Sequence, residues 1–132
     1  MSDGGGCRRI STLALAALLG ASGVLHFTHT GVFATIVPRA LGKPRLLVQV
    51  SGIAELACAA LLLPRTTRHW GGWASAALLV AVFPANVQMA LDGGAATLPA
   101  PLNSATAAWL RLPLQLPLVA AAVAVARSGS AA

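Results

Sequence analysis

Four long apolar stretches, separated by short segments rich in proline, glycine and basic residues, organise this chain. They cover approximately residues 10–28, 46–63, 70–91 and 107–126. A helix rises about 1.5 Å per residue, so each stretch suits the roughly 30 Å hydrocarbon core of a bilayer. The pattern predicts an all-α protein, a four-transmembrane-helix bundle that forms a single integral membrane domain over residues 1–132.

The connector between the first two stretches has an apolar pattern of its own. Val32, Phe33, Ile36 and Val37 are spaced to share one face of a helix, and Pro38 limits such a helix at its end. A short helix with one apolar face suits the membrane surface. We therefore expect a short interfacial helix between spans one and two.

Composition excludes an ordinary soluble domain. Charged residues make up 9% of the 132 residues and hydrophobic ones 57%, whereas a typical globular domain has about 25% charged residues. The net charge of +6 comes from basic residues scattered beside the apolar stretches, without the aromatic stacking partners of a nucleic-acid site. We expect the lipid bilayer as a partner and no nucleic acid.

The distribution of basic residues predicts the orientation. Four spans place both termini on one side. The basic residues expected on that side are Arg8, Arg9, Arg65, Arg68 and Arg127, and those on the other side are Arg39, Lys43 and Arg45. The excess favours a multi-pass protein of the bacterial plasma (inner) membrane with both termini in the cytoplasm.

The beginning of the chain allows two interpretations. Residues 2–7 are polar and glycine-rich and are expected to form a flexible tail. The apolar run after Arg8 and Arg9 has the order of a signal peptide, but it continues without a polar break through Val24 and Leu25. We expect an uncleaved helix.

Glu55 stands near the middle of the second apolar stretch. An ionised side chain at mid-membrane costs about 3 kcal/mol on insertion scales, so it normally faces protein or water and has a partner. Its helical face is mostly small, which would let another helix come close. That face comprises Val48, Ser51, Gly52, Ala59 and Leu62. A functional carboxylate and a protonated carboxyl that only bonds neighbouring helices both remain open.

Other polar residues are expected at similar depths. Counted along each helix, Glu55 lies about 14 Å, Asn86 about 8 Å and Arg111 about 6 Å below the outer end, and His26 ends the first span near the outer surface. The prediction is a polar pocket in the outer half of the bundle. Its candidate ligand-binding residues are Glu55, Arg111, Asn86, His26, Gln115 and Gln88.

Arg111 is expected to pair with Glu55 directly or through water, which would stabilise the ionised carboxylate. Trp109 and Phe83 are expected to line the pocket, and the interfacial connector to roof it. Simpler roles remain open: Arg111 could snorkel to the surface, Asn86 could make only an interhelical hydrogen bond, and a histidine at position 26 could cap its helix.

Such a pocket suits a small amphipathic ligand with a polar head, and a quinone is the possible cofactor. Haem is poorly supported because His69 falls at the opposite membrane face from His26 and His29. Metal-ligand spacings, phosphate-binding loops and nucleophile motifs are missing from the sequence. No catalytic residue or metal site is therefore predicted, and whether the protein is an enzyme stays open.

The two cysteines are Cys7 and Cys58, which are too far apart for a CxxC motif. One belongs to the tail and the other to the second span, so a disulfide between them is not expected. This argues against a thiol oxidoreductase that acts alone.

Several short motifs, in this order along most of the chain, resemble the DoxX-like family of small bacterial membrane proteins. They lie at residues 23–27, 36–38, 51–56, 63–65, 83–90 and 109–115. The resemblance implies a four-helix membrane protein that is a subunit of, or accessory to, a membrane oxidoreductase. This sequence keeps the polar positions of the family's motifs, which are His26, Glu55, Asn86, Arg111 and Gln115.

Two other functions remain open. A carboxylate at mid-membrane also suits a small transporter or proton-coupled permease, which would need a polar exit route on the inner side. Alternatively, the polar residues could only fix helix packing in a structural or assembly protein.

Overall fold

The computed structural model describes residues 3–94, 100–101 and 103–130, which are helical over most of their length. The elements are α1 (Asp3–Thr28), α2 (Thr30–Ala34), a 3-10 helix (Arg39–Leu41), α3 (Pro44–Leu62), α4 (Arg68–Leu91) and α5 (Ala105–Ser130). Within these described ranges there is no strand. The prediction of an all-α four-helix bundle with a short helix between the first two spans is confirmed.

Helix α1 begins earlier than the sequence suggested. The expected N-terminal tail is wrong from Asp3 onward, because α1 already starts at that residue and includes the glycines that follow. At its other end α1 stops at Thr28, and α2 begins only two residues later, at Thr30. The Thr30 hydroxyl donates to the His26 carbonyl at 2.7 Å, and α2 begins at this threonine. The chain therefore turns over the end of α1.

Side chains and prolines fix both ends of α3. Pro44 occupies the first turn, where its missing N–H costs nothing, and Lys43 before it has a φ of +42°. At the other end Arg68 donates through Nε to the Leu62 carbonyl at 2.9 Å and through Nη2 to the Leu63 carbonyl at 2.7 Å. These bonds satisfy carbonyls that the helix leaves free.

The four long helices pack around an apolar core, with the most extensive contacts between α4 and α5 and between α1 and α3. The main core cluster takes residues from all four helices. Its buried members are Leu15, Ala16, Leu19, Cys58, Leu62, Ala76, Leu79, Ala122 and Val125. Cys58 is thus a core residue, whereas Cys7 is exposed, and both are free thiols.

Large apolar side chains also cover much of the outside of the bundle. Ile10, Ile53, Trp70, Leu110 and Leu116 are each more than half exposed. All four long helices are long and apolar enough to cross a membrane. Exposed apolar surface of this extent belongs in a hydrocarbon environment. The protein is a multi-pass membrane protein whose apolar helices contact the lipid bilayer.

Candidate functional site

A cavity of about 480 Å³ lies at the end of the bundle where α2 and the 3-10 helix lie, which we call the connector end. Apolar side chains from α1, α3, α4 and the connector form most of its wall, and Ile36, Val37 and Pro38 close it on the connector side. Its polar lining comes from all four long helices. That lining consists of Ser22, His26, Ser51, Glu55, Asn86, Arg111 and Gln115.

Glu55 is the acidic residue of this cavity and is only 6% exposed. Its Oε1 accepts a hydrogen bond from the Ser22 hydroxyl at 3.2 Å. Its Oε2 lies 3.1 Å from Nδ1 of His26, yet this oxygen is buried and makes no hydrogen bond within the described residues. One acceptor of the carboxylate therefore remains available.

The geometry of His26 explains why Oε2 stays unbonded. Nδ1 of His26 is 2.6 Å from the Ser22 carbonyl oxygen. A carbonyl can only accept, so Nδ1 carries the proton and directs it at Ser22 rather than at Glu55. The imidazole also stacks on Phe33 of α2, with ring centroids 4.3 Å apart. The ring is thus held on two sides while it lies beside the carboxylate.

Two glycines let α1 and α3 approach closely enough for this contact. A Cβ placed at Gly52 would lie 2.8 Å from the Cβ of His26, and one placed at Gly23 would lie 2.8 Å from Cγ of Leu56. Neither position has room for a side chain. The small face predicted around Glu55 therefore serves close contact with α1.

His26 was expected near the outer surface, and that prediction is wrong: it is 9% exposed and lies beside Glu55. The predicted depth of each residue was counted from the end of its own helix, which assumes that all helices end at the same height. In the structure α1 ends beside the middle of α3. Gly52, which faces His26, is eight residues, or about 12 Å, beyond the start of α3 at Pro44. The connector covers this end of α1.

The opposite wall of the cavity is a hydrogen-bonded chain between α4 and α5. Asn86 donates from Nδ2 to Oε1 of Gln115 at 3.3 Å, and Gln115 donates from Nε2 to the Leu79 carbonyl. The Leu79 carbonyl precedes that of Val80, which loses its helical N–H partner because the partner position is Pro84. Gln115 is buried, and its amide is satisfied on both sides.

Arg111 also lines the cavity, but its direct pairing with Glu55 is not formed. Its Nη1 donates to Sδ of Met89 at 3.7 Å, and Met89 is fully buried between α4 and α5. Thioether sulfur is a weak acceptor. Several guanidinium donors therefore remain for another group in the cavity.

The structure separates three further predicted residues from the cavity. Gln88 donates from Nε2 to Oδ1 of Asp92 at 3.0 Å on the exposed side of α4. Trp109 and Phe83, expected as lining residues, are 52% and 36% exposed and lie outside the lining. The polar site is therefore lined by aliphatic residues and Phe33 instead of these two aromatic residues.

Sequence reasoning missed the role of Ser22, and it named Ser51 only as a small residue. Ser22 lies four residues before His26 on the same face of α1 and bonds to Glu55. The Ser51 hydroxyl, four residues before Glu55, is buried without a hydrogen bond within the described residues. Spacing of four residues relative to His26 and Glu55 was the signal that could have found both serines.

Among the described residues, no group of three or more His, Cys, Asp or Glu side chains could hold a metal ion.

Comparison with known proteins corrects the family. No curated protein and no solved structure matches the chain. The resemblance to the DoxX-like family is wrong, because the family model that matches is a different one and covers residues 15–126, which include all of α3 and α4 and parts of α1 and α5. The chain belongs to the family described as Domain of unknown function (DUF8561).

Proposed function

We propose that this protein binds a small amphipathic molecule with a polar head, such as a quinone, in the cavity at the connector end. The observation that carries the proposal is the convergence of polar side chains from four helices on one cavity with otherwise apolar walls. A volume of about 480 Å³ is within the range of small-molecule sites. Apolar walls with a few oriented polar groups are typical of such sites.

The chemistry of the polar groups supports a head that both donates and accepts hydrogen bonds. Oε2 of Glu55 is a buried acceptor without a hydrogen bond in the described structure, and Arg111 on another helix has donors beyond its contact with Met89. A quinol hydroxyl would donate to the carboxylate, and a quinone carbonyl would accept from the guanidinium. His26, Asn86 and Gln115 would complete the lining.

The two other functions are less well supported. Transport needs a polar route to the far end of the bundle, but a buried apolar cluster that includes Leu15, Leu62 and Ala122 lies between the two ends. A purely structural role would favour a fully satisfied polar cluster, since an unsatisfied buried acceptor is costly. Oε2 of Glu55 and the Ser51 hydroxyl are both left unbonded.

The proposal also includes the membrane in which the protein lies and the kind of protein that it assists. The basic residues favour the bacterial inner membrane with both termini in the cytoplasm. A quinone bound at Glu55 would be placed to exchange electrons with the redox centre of a partner protein. A subunit or accessory role beside a membrane oxidoreductase follows from that chemistry.

The test is equilibrium binding of a radiolabelled short-chain quinone analogue to the full chain in nanodiscs. We expect one saturable site. Glu55→Gln replaces a carboxyl oxygen with an amide nitrogen that cannot accept, and it should weaken binding about tenfold or more. Gln88→Leu, at the exposed end of α4, should leave binding unchanged. Unchanged affinity of a Glu55→Gln protein that melts like the wild type would overturn the proposed site.

A further inference from the structure

A second cavity, of about 740 Å³, lies at the opposite end of the bundle, where α1 and α4 begin and α3 and α5 end. We call this the terminal end. The cavity brings together arginines that are far apart in sequence. Its lining includes Arg8 and Arg9 of α1, Arg65 of the turn after α3, and Arg68 of α4. Thr12 and Ser128 add hydroxyl groups.

The described side chains provide no carboxylate for these arginines. The sequence has three acidic residues. Asp3 is the first residue of α1, Glu55 lines the other cavity, and Asp92 follows α4 at the connector end and accepts from Gln88. The positive charge of the terminal-end cavity therefore has no acidic neighbour within residues 5–94, 100–101 and 103–128. An anion is the group that such a cavity would take.

Arg68 is held by two hydrogen bonds at the end of α3, where its Nε donates to the Leu62 carbonyl and its Nη2 to the Leu63 carbonyl. These bonds hold its guanidinium at the cavity wall. Arg8, Arg9 and Arg65 have no such bonds from their side chains among the described residues, so their donors are available. Guanidinium groups bind phosphate oxygens through paired N–H donors.

The apolar residues at the rim of the cavity favour a lipid over a soluble anion as its ligand. Leu13 and Leu63, which line the cavity, are 49% and 55% exposed. Leu13 lies in the membrane-crossing helix α1, and Leu63 directly follows the membrane-crossing helix α3. An anion bound here would lie beside a surface suited to acyl chains. Basic pockets between transmembrane helices bind anionic headgroups in this way.

We propose that the terminal-end cavity binds the phosphodiester headgroup of an anionic phospholipid. Arginines that serve only to orient a membrane protein need to lie near span ends, but they need not share a cavity. Here four of them line the same one. The proposal does not depend on the ligand of the connector end, because the two cavities have no lining residue in common.

The experiment titrates the purified full chain in neutral detergent with short-chain phosphatidylglycerol or phosphatidylcholine, and native mass spectrometry counts the bound lipids. We expect saturable binding of phosphatidylglycerol in preference to phosphatidylcholine. The double variant Arg9→Gln/Arg65→Gln should weaken phosphatidylglycerol binding about tenfold or more. Arg68 is left in place because it caps α3.

The matched control is Arg39→Gln/Lys43→Gln, which removes the same charge at the connector end and should leave phosphatidylglycerol binding unchanged. Equal weakening in both double variants would overturn the site, because it would show an effect of net charge alone. Equal binding of the two lipids would also overturn it. Displacement of the lipid by inorganic phosphate at the same concentration would overturn the lipid assignment in favour of a soluble anion.

Discussion

Gly52 faces His26 so closely that a Cβ at position 52 would lie 2.8 Å from the Cβ of the histidine. The same Cβ would lie 3.2 Å from the Gly23 carbonyl oxygen, so backbone as well as side chain blocks it. This absence of a side chain is what lets α1 deliver His26 and Ser22 to Glu55.

Gly52→Ala should therefore separate α1 from α3 and lower the melting temperature of the purified protein. Overpacking of this kind costs about 1–3 kcal/mol of unfolding free energy. Circular dichroism during heating in detergent measures it. The control is Gly20→Ala, where the new Cβ would meet only the Cβ of Ala59 at 3.9 Å, so no loss is expected there. Equal melting temperatures for the two variants would contradict this account of the helix contact.

Gly72 provides the second close approach, between α4 and α5. A Cβ there would lie 2.5 Å from the backbone nitrogen of Ala126 and 2.6 Å from its Cα. Backbone atoms cannot rotate away as a side chain can, so Gly72→Ala should cost about 1–3 kcal/mol or more of unfolding free energy. Gly6→Ala, which meets nothing within 4 Å, should keep or raise stability. Reversible unfolding of both variants in mixed detergent would show the difference, and a neutral Gly72→Ala would refute it.

Gln115→Leu should destabilise the bundle because it removes a buried link between α4 and α5. The substitution leaves the Asn86 amide and the Leu79 carbonyl without this partner, and an unsatisfied buried group costs about 1–3 kcal/mol. Gln88→Leu loses only an exposed bond to Asp92 and should change stability by less than about 0.5 kcal/mol. Similar losses for the two leucine variants would mean that the interhelical chain contributes little.

His26 and Glu55 should be energetically coupled. A double-mutant cycle with His26→Gln and Glu55→Gln, read by unfolding free energy, should give a coupling of about 0.5–3 kcal/mol, as for groups in contact. His29 is exposed and contacts the Thr28 side chain, so His29→Gln and Glu55→Gln should be additive within about 0.5 kcal/mol. Additivity in the first cycle would show that the contact between Nδ1 of His26 and Oε2 of Glu55, 3.1 Å apart, contributes nothing to the free energy of unfolding.

Much of the fold follows from the spacing of apolar residues, whereas the heights of the helices relative to one another do not. The apolar period gives the helices and places Glu55 on a small face. The position where α1 stops depends on the Thr30 hydroxyl bonding to the His26 carbonyl and on a connector that packs over it. Counting residues from each helix end cannot include that offset, and His26 was misplaced for this reason.

Within the site, spacing on a helix was more informative than proximity in sequence. Gln88 lies two positions after Asn86, which is about 200° around a helix, so its exclusion could have been predicted. The choice of Met89 as the partner of Arg111 could not, because it depends on how α4 and α5 align. The motifs that suggested the DoxX-like family are short and built of residues common in membrane helices, and a longer match overrules them.

The apolar cluster at the middle of the bundle has a consequence for permeability. Leu19 and Leu79 border the connector-end cavity, Val125 borders the terminal-end cavity, and Leu15 and Leu62 fill the space among them. An ion passing from one cavity to the other would have to shed its hydration shell in hydrocarbon. Within the described structure the apolar cluster therefore separates the two cavities, so a ligand of either cavity is expected to enter and leave at that cavity's own end of the bundle.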